Sequence, residues 1–138
     1  MNKSFIYDFI KKHKLAVLST STLENKPEAA LIGIAITRDL EIVFDTVKTS
    51  RKYFNLMRNP QVAVVIGWDN ETTIQYEGRA VELNERGSEI YKEIYFEAFH
   101  DGRHRATTWP DIVHFKIQPR WIRYSNYNEP LTIEELTF

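Results

Sequence analysis

No cysteine occurs in the 138 residues. That excludes a disulfide scaffold, a thiolate metal site and a cysteine nucleophile, and it fits a reducing compartment. Glycine and proline number five each, too few for a flexible linker or a low-complexity tract. No Gly-rich loop of the Walker or Rossmann type is present. The opening stretch MNKSFIYDFIKKHK is interrupted by Asp8 and four lysines, so it reads as neither a signal peptide nor a spanning segment. An excess of one charge is lacking too, with 18 Lys and Arg against 19 Asp and Glu. No global field therefore favours nucleic acid or an acidic membrane surface. The expected location is the cytoplasm.

What is there is a folded chain. A hydrophobic fraction of 43% with 13% aromatics supports one globular domain over residues 1–138. SFIYDFIKKH places Phe5, Ile6, Phe9 and Ile10 on one helical face, with Ser4 as the expected N-cap. LAVLSTS reads as a strand. EAALIGIAI and LEIVFDT are expected to pair as a hairpin across TRD, and QVAVVIGW with TIQYEGRAVEL as a second about DNE. In the latter strand Ile74, Tyr76 and Gly78 share one face, and Gln75, Glu77 and Arg79 the other. SRKYFNLMRN predicts a short helix ended by Asn59-Pro60. ERGSEIYKEIYFEAF predicts another, and IVHFKIQ and RWIRYSNY are expected as closing strands hinged at Pro119. The count is about six strands joined mostly by short turns. The expected fold is mainly β, a six-stranded antiparallel barrel with flanking α-helices.

FDTVKTSRKYFNL carries the chemistry. A strand ends at Asp45 and Thr46, and a helix begins at Thr49 or Ser50 with Arg51 and Lys52 in its first turn. The free amides and macrodipole of that end already carry partial positive charge, so two cations there oppose helix stability. They suit a bound anion, arginine as a bidentate fork and lysine as a point charge. The plainer reading is that Ser50 only caps the helix and both cations are solvated.

The order of short features across residues 27–83 decides between them. A Pro opening a strand, then FDT, SRK, NL, NP, a Trp ending the next strand and EGRAVE resemble the pyridoxamine 5'-phosphate oxidase-like, FMN-binding split-barrel family, whose barrel is of the Greek-key type. The resemblance implies that Ser50, Arg51 and Lys52 bind the FMN phosphate; Thr49 and Ser50 are expected to contribute less than the two cations, through hydroxyl or backbone contacts. It implies that Ala30, Leu31 and Ile32 lie along the flavin ring through backbone groups, and that Asp45 and Thr46 contact the cofactor. Thr73 corresponds to a flavin-contacting glutamine that reaches across a subunit interface. A homodimer is implied, with a small molecule as the possible substrate.

This chain departs from the oxidases at several points. Ala30 and Ala35 stand where they carry an arginine and a lysine, and Ser125 where they carry a tryptophan. NYNEPLTIEEL replaces their C-terminal Arg-Leu-His-Asp-Arg motif. The resemblance therefore implies an FMN-dependent oxidoreductase acting on a small molecule other than a B6 vitamer. The alternatives are a non-catalytic flavin-binding sensor or stress protein, or a relative using deazaflavin or haem. No catalytic residue is assigned. FHDGRHRATTW, with His100 and His104 four apart, lacks the zinc-protease pattern, and a mobile basic loop without a metal is expected there. His114 is expected to be packed within a strand.

Overall fold

The computed structural model describes residues 2–138. The elements run α1 (Lys3–Lys11), β1 (Leu15–Ser21), β2 (Pro27–Gly33), β3 (Ala35–Ile36), β4 (Ile42–Val47), α2 (Arg51–Arg58), β5 (Gln61–Ile66), β6 (Thr72–Glu82), α3 (Glu89–Ala98), α4 (His100–Thr108), β7 (Ile112–Asn126) and β8 (Thr132–Thr137). All the strand pairings are antiparallel, in the order β2-β1-β5-β6-β7-β4-β3, with β8 on β7. The end strands of that order, β2 and β3, are separated in the chain by Ile34 alone. The sheet must therefore curl until its two edges approach. The fold is mainly β, a curled antiparallel sheet with flanking helices.

Inside the curl the period of two along each strand delivers one apolar face. Leu18, Val64, Ile74 and Ile122 are buried there, and the cross-strand partners Phe44 and Phe115 stack with centroids 5.4 Å apart. Tyr76 is buried with them, its hydroxyl donating to the Leu40 carbonyl at 2.7 Å. A second apolar cluster, including Val43, Leu83, Tyr95 and Phe96, lies on the other face of β4 under α3.

Eight strands replace the expected six, and the differences have local causes. The expected strand 28–36 divides, with β2 pairing to β1 and only Ala35 and Ile36 reaching β4. Gly33 marks the division, where a Cβ would lie 2.7 Å from the Phe99 ring. The expected hinge at Pro119 is instead the middle of one long strand. On one edge Phe115–Asn126 of β7 pairs with β6; on the other, Ile112–Ile117 pairs with β4 and Trp121–Asn126 with β8. Proline has no amide hydrogen, and here it falls between those two outer ladders. The register shifts opposite it at Glu77/Gly78, where a side chain would collide with the Gln118 carbonyl.

The first helix is capped by Asn2 rather than Ser4, its side chain accepting from the Phe5 amide at 2.9 Å. The expected basic loop is helix α4. Gly102 lets it pass the Tyr95 ring, and Arg105 ties it to the sheet. No helix among the described residues is long and apolar enough to cross a membrane.

Candidate functional site

The end of β4 and the start of α2 form a cradle. Ser50 is the N-cap, its Oγ accepting from the Tyr53 amide at 3.2 Å. Thr46 Oγ1 lies 2.9 Å from Ser50 Oγ, and Lys52 Nζ reaches Thr46 Oγ1 at 3.5 Å. No acid occupies the first turn of α2. Beside it is a cleft of about 110 Å³ lined by Thr20, Glu28, Ala29, Ala30, Arg51 and Lys52. Burial lowers the Lys52 pKa, opposed by the charge of Asp45. A partly buried cation held in this way gains from an incoming anion, which would favour its charged form.

Sequence reasoning overlooked Thr20, Glu28 and Ala29 in the cleft, and of these Glu28 alone carries a charge. Glu28 Oε2 accepts from Arg51 Nη1 at 3.0 Å, and its Oε1 accepts from Asn55 Nδ2 at 2.9 Å. Asn55 is itself buried and also donates to Thr20 Oγ1 at 2.9 Å. The Glu28 side chain is 13% exposed against 73% for Arg51. A carboxylate thus partners Arg51 within the cleft.

The expected residues do not all converge. Thr46, Ser50, Arg51, Lys52 and Ala30 surround the cradle, while Thr49 is exposed in the turn before it. On β2, Glu28 and Ala30 are half-buried and Ile32 is buried, whereas Ala29 and Leu31 are exposed, Leu31 by 60%. β2 ends the strand order, so its edge away from β1 has no strand partner. Thr73 lies far off. Tyr53, next to Lys52, donates to Glu82 at one end of β6, and Thr73 is near the other end. Nine residues separate them, roughly 30 Å along a strand.

Asp45 parts company with Thr46 because neighbouring strand residues face opposite ways. It accepts from Arg105 Nη2 at 3.2 Å, and Arg105 also pairs with Asp101 at 2.8 Å. Tyr95 hydrogen-bonds in this network, and burial pushes its phenol pKa well up. His114, the cross-strand partner of Asp45, is buried edge-on to Tyr95 and Phe96 with Nε2 unpartnered. Burial lowers the His114 pKa, Asp45 opposes this, and Lys92 and Arg105 reinforce it.

The unfolded chain therefore binds a proton at this histidine more readily than the native one. Stability contributed by neutral His114 is full above its ordinary value of 6.5 and is lost as pH falls through it toward the lowered native value. Denaturant unfolding should show this acid loss, and His114→Gln should reduce it. An unchanged pH slope in the variant would assign the loss to other groups.

Taken together, a curled antiparallel sheet with flanking helices and an anion-suited helix start beside a free strand edge define a half-barrel class of β proteins. The profile of the Pyridoxamine 5'-phosphate oxidase family matches residues 4–126, and the chain belongs to that family. General Stress Protein 26 from Bacillus anthracis is 26% identical, with a TM-score of 0.74, over 99% of this chain and 98% of that one. A haem-binding protein from Mycobacterium smegmatis is 14% identical with a TM-score of 0.83. The match covers 99% of this chain, which spans only 58% of that protein. HutZ, the haem storage protein of Vibrio cholerae, is 20% identical with a TM-score of 0.70, over 85% and 89% of the two chains. The comparison with curated proteins gives no significant match.

Proposed function

We propose that this chain is a cytoplasmic, homodimeric FMN-binding protein and a flavin-dependent oxidoreductase acting on a small molecule. The observation that carries the reading is the cradle at the start of α2, with a serine cap, two cations and no acid in the first turn. This donor set fits a phosphate dianion once Arg51 turns from Glu28. Lys52 would supply a charge-assisted hydrogen bond from partly buried ground, and Ser50 and Thr46 hydroxyls would orient beside it. The unpaired edge of β2 at Ala30, Leu31 and Ile32 offers backbone donors and acceptors to a planar ring. FMN, when bound, supplies one- and two-electron redox chemistry, and the protein supplies placement and electrostatics.

A second copy is the expected occupant of the outer face of β2, β1 and β5. Val17 stands opposite Leu31 and Val65, and Ser19 opposite Ala29 and Ala63. Leu15, Leu31 and Val65 are 46%, 60% and 40% exposed. This small-residue, aliphatic face is what a dimer contact buries. A partner is also the only route by which Thr73 could join a cradle so distant in its own chain. Sedimentation of purified protein should give the dimer at micromolar concentration; a stable monomer would remove the shared site.

Two other readings have support. The likeness to General Stress Protein 26 favours a non-catalytic stress or sensor role. The likeness to the two haem proteins favours haem, whose propionates could use the same cations. The visible absorption spectrum of purified protein separates flavin, deazaflavin and haem. A flavin spectrum supports the proposal, and a Soret band overturns it. Turnover of NADH or NADPH with an artificial acceptor then separates enzyme from binder.

A further inference from the structure

A second cavity, of about 540 Å³, lies between α1, the β3 region and the end of α3, and shares no lining residue with the α2 cradle. Its volume falls in the range of small-molecule sites. Ile10, Ile34 and Ile36 are buried beneath it, and Ile94 and Ala98 form the α3 wall. The rim has the opposite character. Lys11, Lys14 and Arg38 line it, against Glu97 as the one acid.

These cations are held in place without being neutralised. The Arg38 guanidinium stacks 4.1 Å from the Tyr7 ring centroid. Lys11 Nζ donates to the Tyr7 hydroxyl at 3.0 Å, and Lys14 Nζ to the Ala98 carbonyl at 3.2 Å. Among the described residues, the ion pairs involve other cations. Lys11 is also explained by the negative end of the α1 dipole. Arg38 is not, because it comes from the turn between β3 and β4.

We propose that this cavity binds a small organic carboxylate. The apolar body, a short aliphatic chain or a single aromatic ring, lies on Ile34, Ile36 and Ile94. The carboxylate sits at the rim, where Arg38 offers a fork of donors and Lys14 a point charge. Tyr7, His13 and Thr37 add polar groups to the lining, while the floor of Ile10, Ile34 and Ile36 offers no side-chain hydrogen bond and suits an apolar body better than a sugar. The site is independent of whatever fills the cradle.

Octanoate and uncharged octanol can be titrated in turn into the full-length protein, with the isoleucine methyl groups followed by NMR. Octanoate should give saturable shifts at Ile34, Ile36 and Ile94 at millimolar concentration or below. Lys14→Glu with Arg38→Glu should weaken octanoate about tenfold or more and leave octanol unaffected. Both substitutions are at exposed positions, and the unliganded methyl spectrum reports whether the variant is folded. If it is not, Arg38→Gln alone carries the comparison. Equal affinity for octanoate and octanol overturns the role of the cations. Shifts confined to other methyl groups, or none that saturate, overturn the site.

Discussion

Replacing Arg51 and Lys52 together by alanine is expected to weaken FMN binding by about 2–4 kcal/mol, a loss of roughly 30- to 1000-fold. The two residues should not share this equally. Arg51 is 73% exposed and engaged with Glu28, so solvent screens its contribution to about 1 kcal/mol or less. Lys52 is half-buried beside Thr46, and its contact with a dianion should carry most of the effect. The fold should survive, because both cations oppose the dipole at the start of α2 and their removal relieves a few tenths of a kcal/mol. Flavin fluorescence quenching on titration measures the affinity, and thermal melting checks the fold. Unchanged affinity in a folded double variant sinks the cradle assignment.

Glu28 gives the same site a test of opposite sign. Its carboxylate must lose Arg51 and lie beside the incoming phosphate. Glu28→Gln keeps an acceptor within reach of Asn55 and removes the competing charge. FMN affinity should rise by about 1 kcal/mol, or roughly fivefold. A loss of affinity instead would mean that Glu28 positions the cradle rather than competing for it.

The parts of this site that the sequence disclosed are local ones. Ser50, Arg51 and Lys52 follow a strand end directly, so a cap and a misplaced pair of cations are visible without knowing any partner. The α2 boundary at Asn59 and the β5–β6 hairpin were legible for the same reason. Contacts distant in sequence were not. Glu28 lies 23 residues from Arg51 and Arg105 lies 60 from Asp45, and no periodicity links them. One clue to Glu28 was present, since strand alternation puts it on the face of Ala30. The same rule separates Asp45 from Thr46, which a motif read as a unit obscures. β8 escaped notice because its alternation is weak and acidic, with Glu134 and Glu135 in its middle. Helix α4 was hidden by Gly102 and a dense run of polar residues. Its anchors, Tyr95 and Asp45, lie elsewhere in the chain.

Purified, FMN-loaded protein is expected to oxidise neither pyridoxine 5'-phosphate nor pyridoxamine 5'-phosphate at an appreciable rate. Such a substrate carries its own phosphate, so it needs a second cationic cluster beside the ring. Helix α4 is the nearest supply by composition, yet its arginines are engaged. Arg103 pairs with Glu93 at 2.6 Å, and Arg105 is shared between Asp45 and Asp101. The C-terminal tail does not replace them. It forms β8 against the half of β7 that lies beyond β4, and Glu135 there accepts from Trp121 and Arg123. At the position of the oxidases' tryptophan, Ser125 is buried. Absence of two or three charge-assisted contacts made in the transition state costs about 4–8 kcal/mol, three to six orders of magnitude in rate. Formation of pyridoxal 5'-phosphate, followed by absorbance, measures it. Turnover at ordinary enzyme rates would require the α4 ion pairs to open around the substrate phosphate, and would reassign that helix as a substrate clamp.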